Sequence, residues 1–153
     1  MQIRTPHQLA QAEPATVRQE RTISKQMVQE LLMSAGQKFK DSSVPGVSDP
    51  TKMEAAYDAI LFSALAVFAA QGYRISSNQG HHRLALEGLA GSLGLGESVL
   101  DEMQLMLDLR NTKYTGFLTV KSADLKLGLG LAERILNETS GWLEQNHPDL
   151  LKN

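Results

Sequence analysis

The stretch AAYDAILFSALAVFAA, residues 55–70, decides the fold. It is apolar on nearly every face of a helical wheel, and Asp58 is its only charge. A helix of that kind is either the centre of a bundle or part of an interface, because no face of it suits water. Its many alanines let neighbouring helices approach closely. The pattern predicts a helix over residues 51–71 that ends at Gly72. The turn chemistry of residues 41–50 (DSSVPGVSDP) precedes it. Its uncharged part, residues 59–73, is shorter than the ~20 residues a spanning helix needs. It therefore reads as a core helix, and no membrane contact is expected.

Four further helices are expected around it. Ile23, Met27, Val28, Leu31, Leu32 and Ala35 recur at helical spacing and predict a helix over residues 22–40. A polar connection, residues 72–80, leads to a third helix over residues 81–93, started by Asn78 or by Gln79-Gly80 and ended by Gly94. Gly88 and Gly91 inside it either weaken it or permit tight packing. A fourth covers residues 96–110 (GESVLDEMQLMLDLR). A fifth covers residues 122–146, with Leu125, Leu129, Ala132, Leu136, Thr139 and Leu143 as its stripe and Pro148 after its end. No alternating run is long enough to build a sheet; residues 115–120 (TGFLTV) are the only weak candidate.

The fold class is all-α, and short connections favour a five-helix up-and-down bundle. Residues 1–21 hold two prolines and little periodicity, and are expected to be a flexible arm. Residues 22–147 form the helical domain, and residues 148–153 a C-terminal tail.

Composition narrows the function classes. The chain has 153 residues, 42% hydrophobic and 21% charged, with a net charge of −2. That is an ordinary globular balance, with no overall field drawing the chain to nucleic acid or anionic lipid, although a local basic groove is compatible with it. There is no cysteine, which excludes disulfides and thiolate zinc sites. The polar first twenty residues lack the apolar core of a secretory signal. A cytoplasmic protein is expected, with no cofactor and no metal.

Arg110 is the most informative single residue. Successive helix positions turn by about 100°. On that wheel Arg110 lies beside Val99, Met103, Met106 and Leu107, and opposite Asp101. A guanidinium on an apolar face must be paired or must face a polar cleft. Two readings stand. In one it pairs with Asp58 or Asp108 for structure, while Asn111 caps the helix. In the other, Arg110, Asn111, Tyr114 and Asp58 line a cleft for a phosphate or nucleotide. Asp58 itself is either a buried partner for Arg110 or Arg74, or a first-turn carboxylate favoured by the helix dipole.

Three pieces carry a family resemblance. Ala56-Tyr57-Asp58-Ala59 opens a small-residue helix that ends in Gln71-Gly72-Tyr73-Arg74. Gly80-His81-His82 starts the next helix. Leu109-Arg110-Asn111 ends the fourth, with Tyr114 close behind. In this order they resemble the HEPN superfamily of helical-bundle proteins, over nearly the whole chain. The resemblance implies a homodimer packed through bundle helices, here the second and fourth. It implies a cleft where two copies of an Arg-x4–6-His motif meet and where active members cut RNA without metal, often as toxins or defence proteins beside an operon-encoded partner. In that chemistry a histidine moves protons and an arginine stabilises charge on the phosphate.

This chain departs from the active pattern. Counting from Arg110, the positions where the motif wants histidine hold Thr115, Gly116 and Phe117, and no histidine lies between His82 and His147. Tyr114 is a poor base, its ordinary pKa being about 10. The expectation is a degenerate ribonuclease that binds RNA, a nucleotide or a partner at the Arg110 cleft without cutting. The alternative is an endoribonuclease in which Arg110 holds the phosphate and His81, His82 or Tyr114 moves the proton. Nothing in the sequence places His81 and His82 near Arg110, so they read first as the opening turn of the third helix. Gly128-Leu129-Gly130 and Gly94-Leu95-Gly96 are not phosphate loops, since neither follows a strand.

Overall fold

The computed structural model describes residues 2–78, 80–112 and 119–153. These residues are mostly helical, as the all-α reading requires. In chain order they form α1 (Pro6–Ala12), β1 (Val17–Gln19), α2 (Lys25–Asp41), α3 (Asp49–Ala70), β2 (Tyr73–Ile75), α4 (His81–Leu93), α5 (Glu97–Thr112), α6 (Ser122–Asn146) and a 3-10 turn at Pro148–Leu151. The five expected helices are α2 to α6, and α4 and α6 keep the expected bounds.

Local chemistry sets the ends. Ser24 and Ser48 accept hydrogen bonds from the backbone amides of Met27 and Thr51, capping α2 and α3. Gly72 and Gly94 follow α3 and α4 at φ +84° and +70°, the left-handed region where other residues are strained.

Helix α3 is the axle. It packs against α2, α4, α5 and α6. Its Met53, Tyr57, Ile60, Ala64 and Val67 share one buried cluster with Leu86 and Leu89 of α4, Leu100 and Met103 of α5, and Ile135 of α6. Burying one such large side chain is worth about 1.5–3 kcal/mol. Within the chain it is the centre of the bundle. Among the described residues α3 is the one helix long and apolar enough to cross a membrane, and 67% of that stretch is buried inside the fold.

Three expectations need correction. The segment read as a flexible arm is folded. A capping box between Thr5 and Gln8, with Pro6 in the first turn, starts α1. Leu9 and Val17 are then buried against Phe68 and Tyr73 in a second small cluster. The two glycines of α4 make this docking possible. A Cβ on Gly88 would run into the Phe68 ring, and one on Gly91 into the Arg4 backbone. They permit tight packing.

The second correction concerns strands. β1 and β2 pair antiparallel, with Val17, Arg18 and Gln19 opposite Ile75, Arg74 and Tyr73. Three-residue strands are too short to show alternation in sequence. The third concerns topology. Tyr57 meets His82 and Gln71 meets Ser92, so α4 runs in the same sense as α3. β2 carries the chain back before α4 begins, which breaks the up-and-down order. The last residues are also held, by Gln29 Nε2 donating to the carbonyls of Leu150 and Lys152. Most of the candidate strand at residues 115–120 lies outside the described residues.

Candidate functional site

The site is built on the first half of α3. Tyr57 and Asp58 are neighbours there, turned about 100° apart, so they reach different partners. From α5, Arg110 comes back over both. Its Nε lies 3.6 Å from Asp58 Oδ1, and its guanidinium carbon 5.6 Å from the centre of the Tyr57 ring, within cation–π range. The Arg110 and Asp58 side chains are 20% and 17% exposed, sheltered but reachable from solvent. Lys38 of α2 stands 4.0 Å from the other Asp58 oxygen. One carboxylate thus sits between two cations. Arg83 takes Asp108 at 2.7 Å. Of the two carboxylates proposed for Arg110 from sequence, Asp58 is the one it meets; Arg74 pairs elsewhere, with Glu20.

Tyr57 links this cluster to α4. Its ring is fully buried, and its hydroxyl lies 2.8 Å from His82 Nδ1, with the two rings nearly parallel. Burial pushes the Tyr57 phenol above its ordinary pKa, against the opposing pull of Arg110. Burial also pushes His82 down to about 4, helped by the charges of His81 and Arg110. Both groups are therefore neutral at pH 7. A buried hydroxyl needs an acceptor. Tyr57 accordingly donates to Nδ1, and the imidazole proton resides on Nε2.

His82 belongs to the Arg110 cluster, contrary to the reading that set both histidines aside. The parallel run of α4 beside α3 brings it there, and linear sequence carries no sign of that. His81 does not join in the same way. Its Nδ1 lies 2.8 Å from the Asn78 carbonyl, to which it donates, and its ring stands edge-on to His82. Asn111 is exposed on the last turn of α5. Tyr114 lies outside the described residues. Sequence reasoning did not single out Tyr57 or Lys38 as site residues. A tyrosine directly before the only charge in an apolar helix was the available signal for the first. Among the described residues, no three His, Asp or Glu side chains converge as a metal would require.

The arrangement suits an oxyanion better than proton transfer. Arg110 offers a sheltered positive charge. An imidazole with a pKa near 4 is a weak proton acceptor and carries almost no proton to donate at pH 7. Compared with known protein families the chain matches none, and compared with curated proteins it again matches none.

Proposed function

We propose that the chain is a HEPN-like homodimeric protein with a degenerate nuclease motif. It binds RNA, a nucleotide or an operon-encoded protein partner at the Arg110 cleft and does not cut. The observation that carries this reading is the sheltered Arg110 guanidinium, held over Tyr57 and 3.6 Å from Asp58. A phosphate oxygen meeting Arg110 there forms a charge-assisted bond in a partly desolvated setting. The dimer packs through α3 and α5, the second and fourth of the expected helices. Leu105 of α5 is 56% exposed, a large apolar side chain left at the surface of the single chain, and Leu61, Phe62 and Leu65 of α3 are half-buried.

A second reading has one observation in its favour. The Tyr57 hydrogen bond ties His82 into the cluster, which gives a metal-independent endoribonuclease a histidine outside its own motif. Purified protein incubated with labelled RNA separates the two. The expected result is retention of RNA or nucleotide without shortening, weakened in Arg110→Ala. Cleavage that persists in EDTA and disappears in Arg110→Ala transfers the reading to the nuclease. Unfolding of Arg110→Ala, with no ligand bound by the wild type, makes Arg110 purely structural. Light scattering that returns the mass of one chain removes the dimer.

A further inference from the structure

The strand pair at the far end of α3 carries a feature the Arg110 cleft does not use. β1 and β2 set Arg18 directly opposite Arg74. Opposed residues in an antiparallel ladder leave the same face, with Cβ atoms about 5 Å apart, and like charges so placed repel. The register cannot slip to relieve them. Val17 is 1% exposed and Tyr73 8%, and a one-residue shift would expel both from the core. Both arginines are exposed. Arg74 has a loose contact with Glu20 at 3.8 Å, both side chains well solvated. Among the described residues Arg18 has no carboxylate partner.

A cavity of about 500 Å³ opens at this face, lined by Arg18, Arg74, Glu20, Ser76 and Ser77. Its far wall is fixed. The Ser76 amide donates to the Thr16 carbonyl, and the Ser76 hydroxyl and Asn78 amide both donate to the Ala15 carbonyl. The Ser77 hydroxyl is exposed beside it.

We propose that this face is a phosphate-binding site, in which Arg18 and Arg74 grip one phosphate group from two sides. Planar guanidinium forks match phosphate oxygens in pairs, and a bound dianion turns their mutual repulsion into joint attraction. Glu20 competes with the phosphate for Arg74. The phosphate comes either from a free nucleotide or from the backbone of a single-stranded RNA. This site shares no lining residue with the Arg110 cluster, and does not rest on the reading of that cleft.

Calorimetry with pyrophosphate and anisotropy with a labelled 12-nucleotide single-stranded RNA test it. Arg18→Gln and Arg74→Gln are each expected to weaken binding about tenfold, and Glu20→Gln to tighten it several-fold. Arg18→Gln is also expected to raise the Tm of the ligand-free protein, because it removes a repulsion. The same tenfold loss is expected in an Arg110→Ala background, as for independent sites. RNA bound more tightly than pyrophosphate, with a salt slope that falls by about 1 per arginine removed, identifies a strand backbone. Pyrophosphate bound at least as tightly as RNA identifies a free nucleotide. No binding of either probe by the wild type overturns the proposal. So does unchanged binding by Arg18→Gln, a lowered Tm in that variant, or loss confined to Arg110→Ala.

Discussion

Two arginines reach carboxylates on the inner helices, and they do so differently. Arg4 closes a fork on Glu87 of α4, with Nε 2.8 Å from Oε2, Nη2 3.0 Å from Oε1, and its own backbone amide 2.9 Å from Oε2. Arg110 approaches Asp58 of α3 at 3.6 Å, spreads over the Tyr57 ring, and shares the carboxylate with Lys38 at 4.0 Å. The first contact saturates Glu87 and clamps the N-terminal segment onto α4. The second is a charge contact beyond hydrogen-bond range.

The largest effect belongs to the clamp. Glu87→Ala is expected to lower stability in urea at pH 7 by about 2–3 kcal/mol. The Glu87 side chain is only 8% exposed, while Arg4, at 35%, can swing into water, which keeps the loss below that of a fully buried pair. Amide exchange in α1 and β1 should rise with it, because Leu9 and Val17 lose the contact that holds their segment down. A loss under about 0.5 kcal/mol would mean that the packing against Gly88 and Gly91 holds the segment without the fork.

Acid sharpens the comparison from a second side. Burial pushes the Glu87 carboxyl up, but the Arg4 hydrogen bonds and charge outweigh that, so its pKa is lowered. Its stabilisation is complete above the ordinary value of 4.5 and is lost as pH falls below it. His82 acts earlier. Its folded pKa is about 4 against an ordinary 6.5. The unfolded chain therefore takes up a proton from pH 6.5 downward while the folded chain refuses it until about pH 4. Stability is complete above pH 6.5 and falls through that window, by about 1–2 kcal/mol once partial solvent access is allowed for. His82→Asn keeps an acceptor for Tyr57 and removes this slope, leaving only the Glu87 phase at lower pH. Denaturation curves between pH 7 and pH 4 read both. A His82→Asn profile identical to wild type would place the imidazole outside the sheltered cluster.

The sequence disclosed the helices better than their neighbours. The apolar run around α3 and the stripes of α2 and α6 are local signals with a period of 3.6, and they survive without tertiary information. Arg110 was legible for the same reason: its wheel position put a cation among Met103, Met106 and Leu107, and the structure pairs it with Asp58. His82 was not legible, because its place beside Tyr57 depends on α4 running parallel to α3. That reversal is made by a three-residue strand too short to carry a pattern. The folded N-terminal segment lies between these cases. Thr5, Pro6 and Gln8 spell a helix start, and Gly88 and Gly91 mark a close approach, but only the fold shows that the two belong to each other.

The smallest expected effect is the most decisive for the comparison. Arg110→Met keeps an apolar stem over Tyr57 and removes the charge. Lys38 stays within reach of Asp58, so the carboxylate is not stranded. The expected loss is about 1 kcal/mol or less, in the range of a partly solvated pair. A double-mutant cycle with Asp58→Asn should give a coupling under about 1 kcal/mol, whereas the cycle between Arg4→Met and Glu87→Gln should exceed it, because two parallel hydrogen bonds are lost together. Equal couplings would make the two arginines the same kind of residue. Arg110 would then be a second clamp, tying α5 to α3 as Arg4 ties the N-terminal segment to α4, and its place over Tyr57 would carry no functional weight.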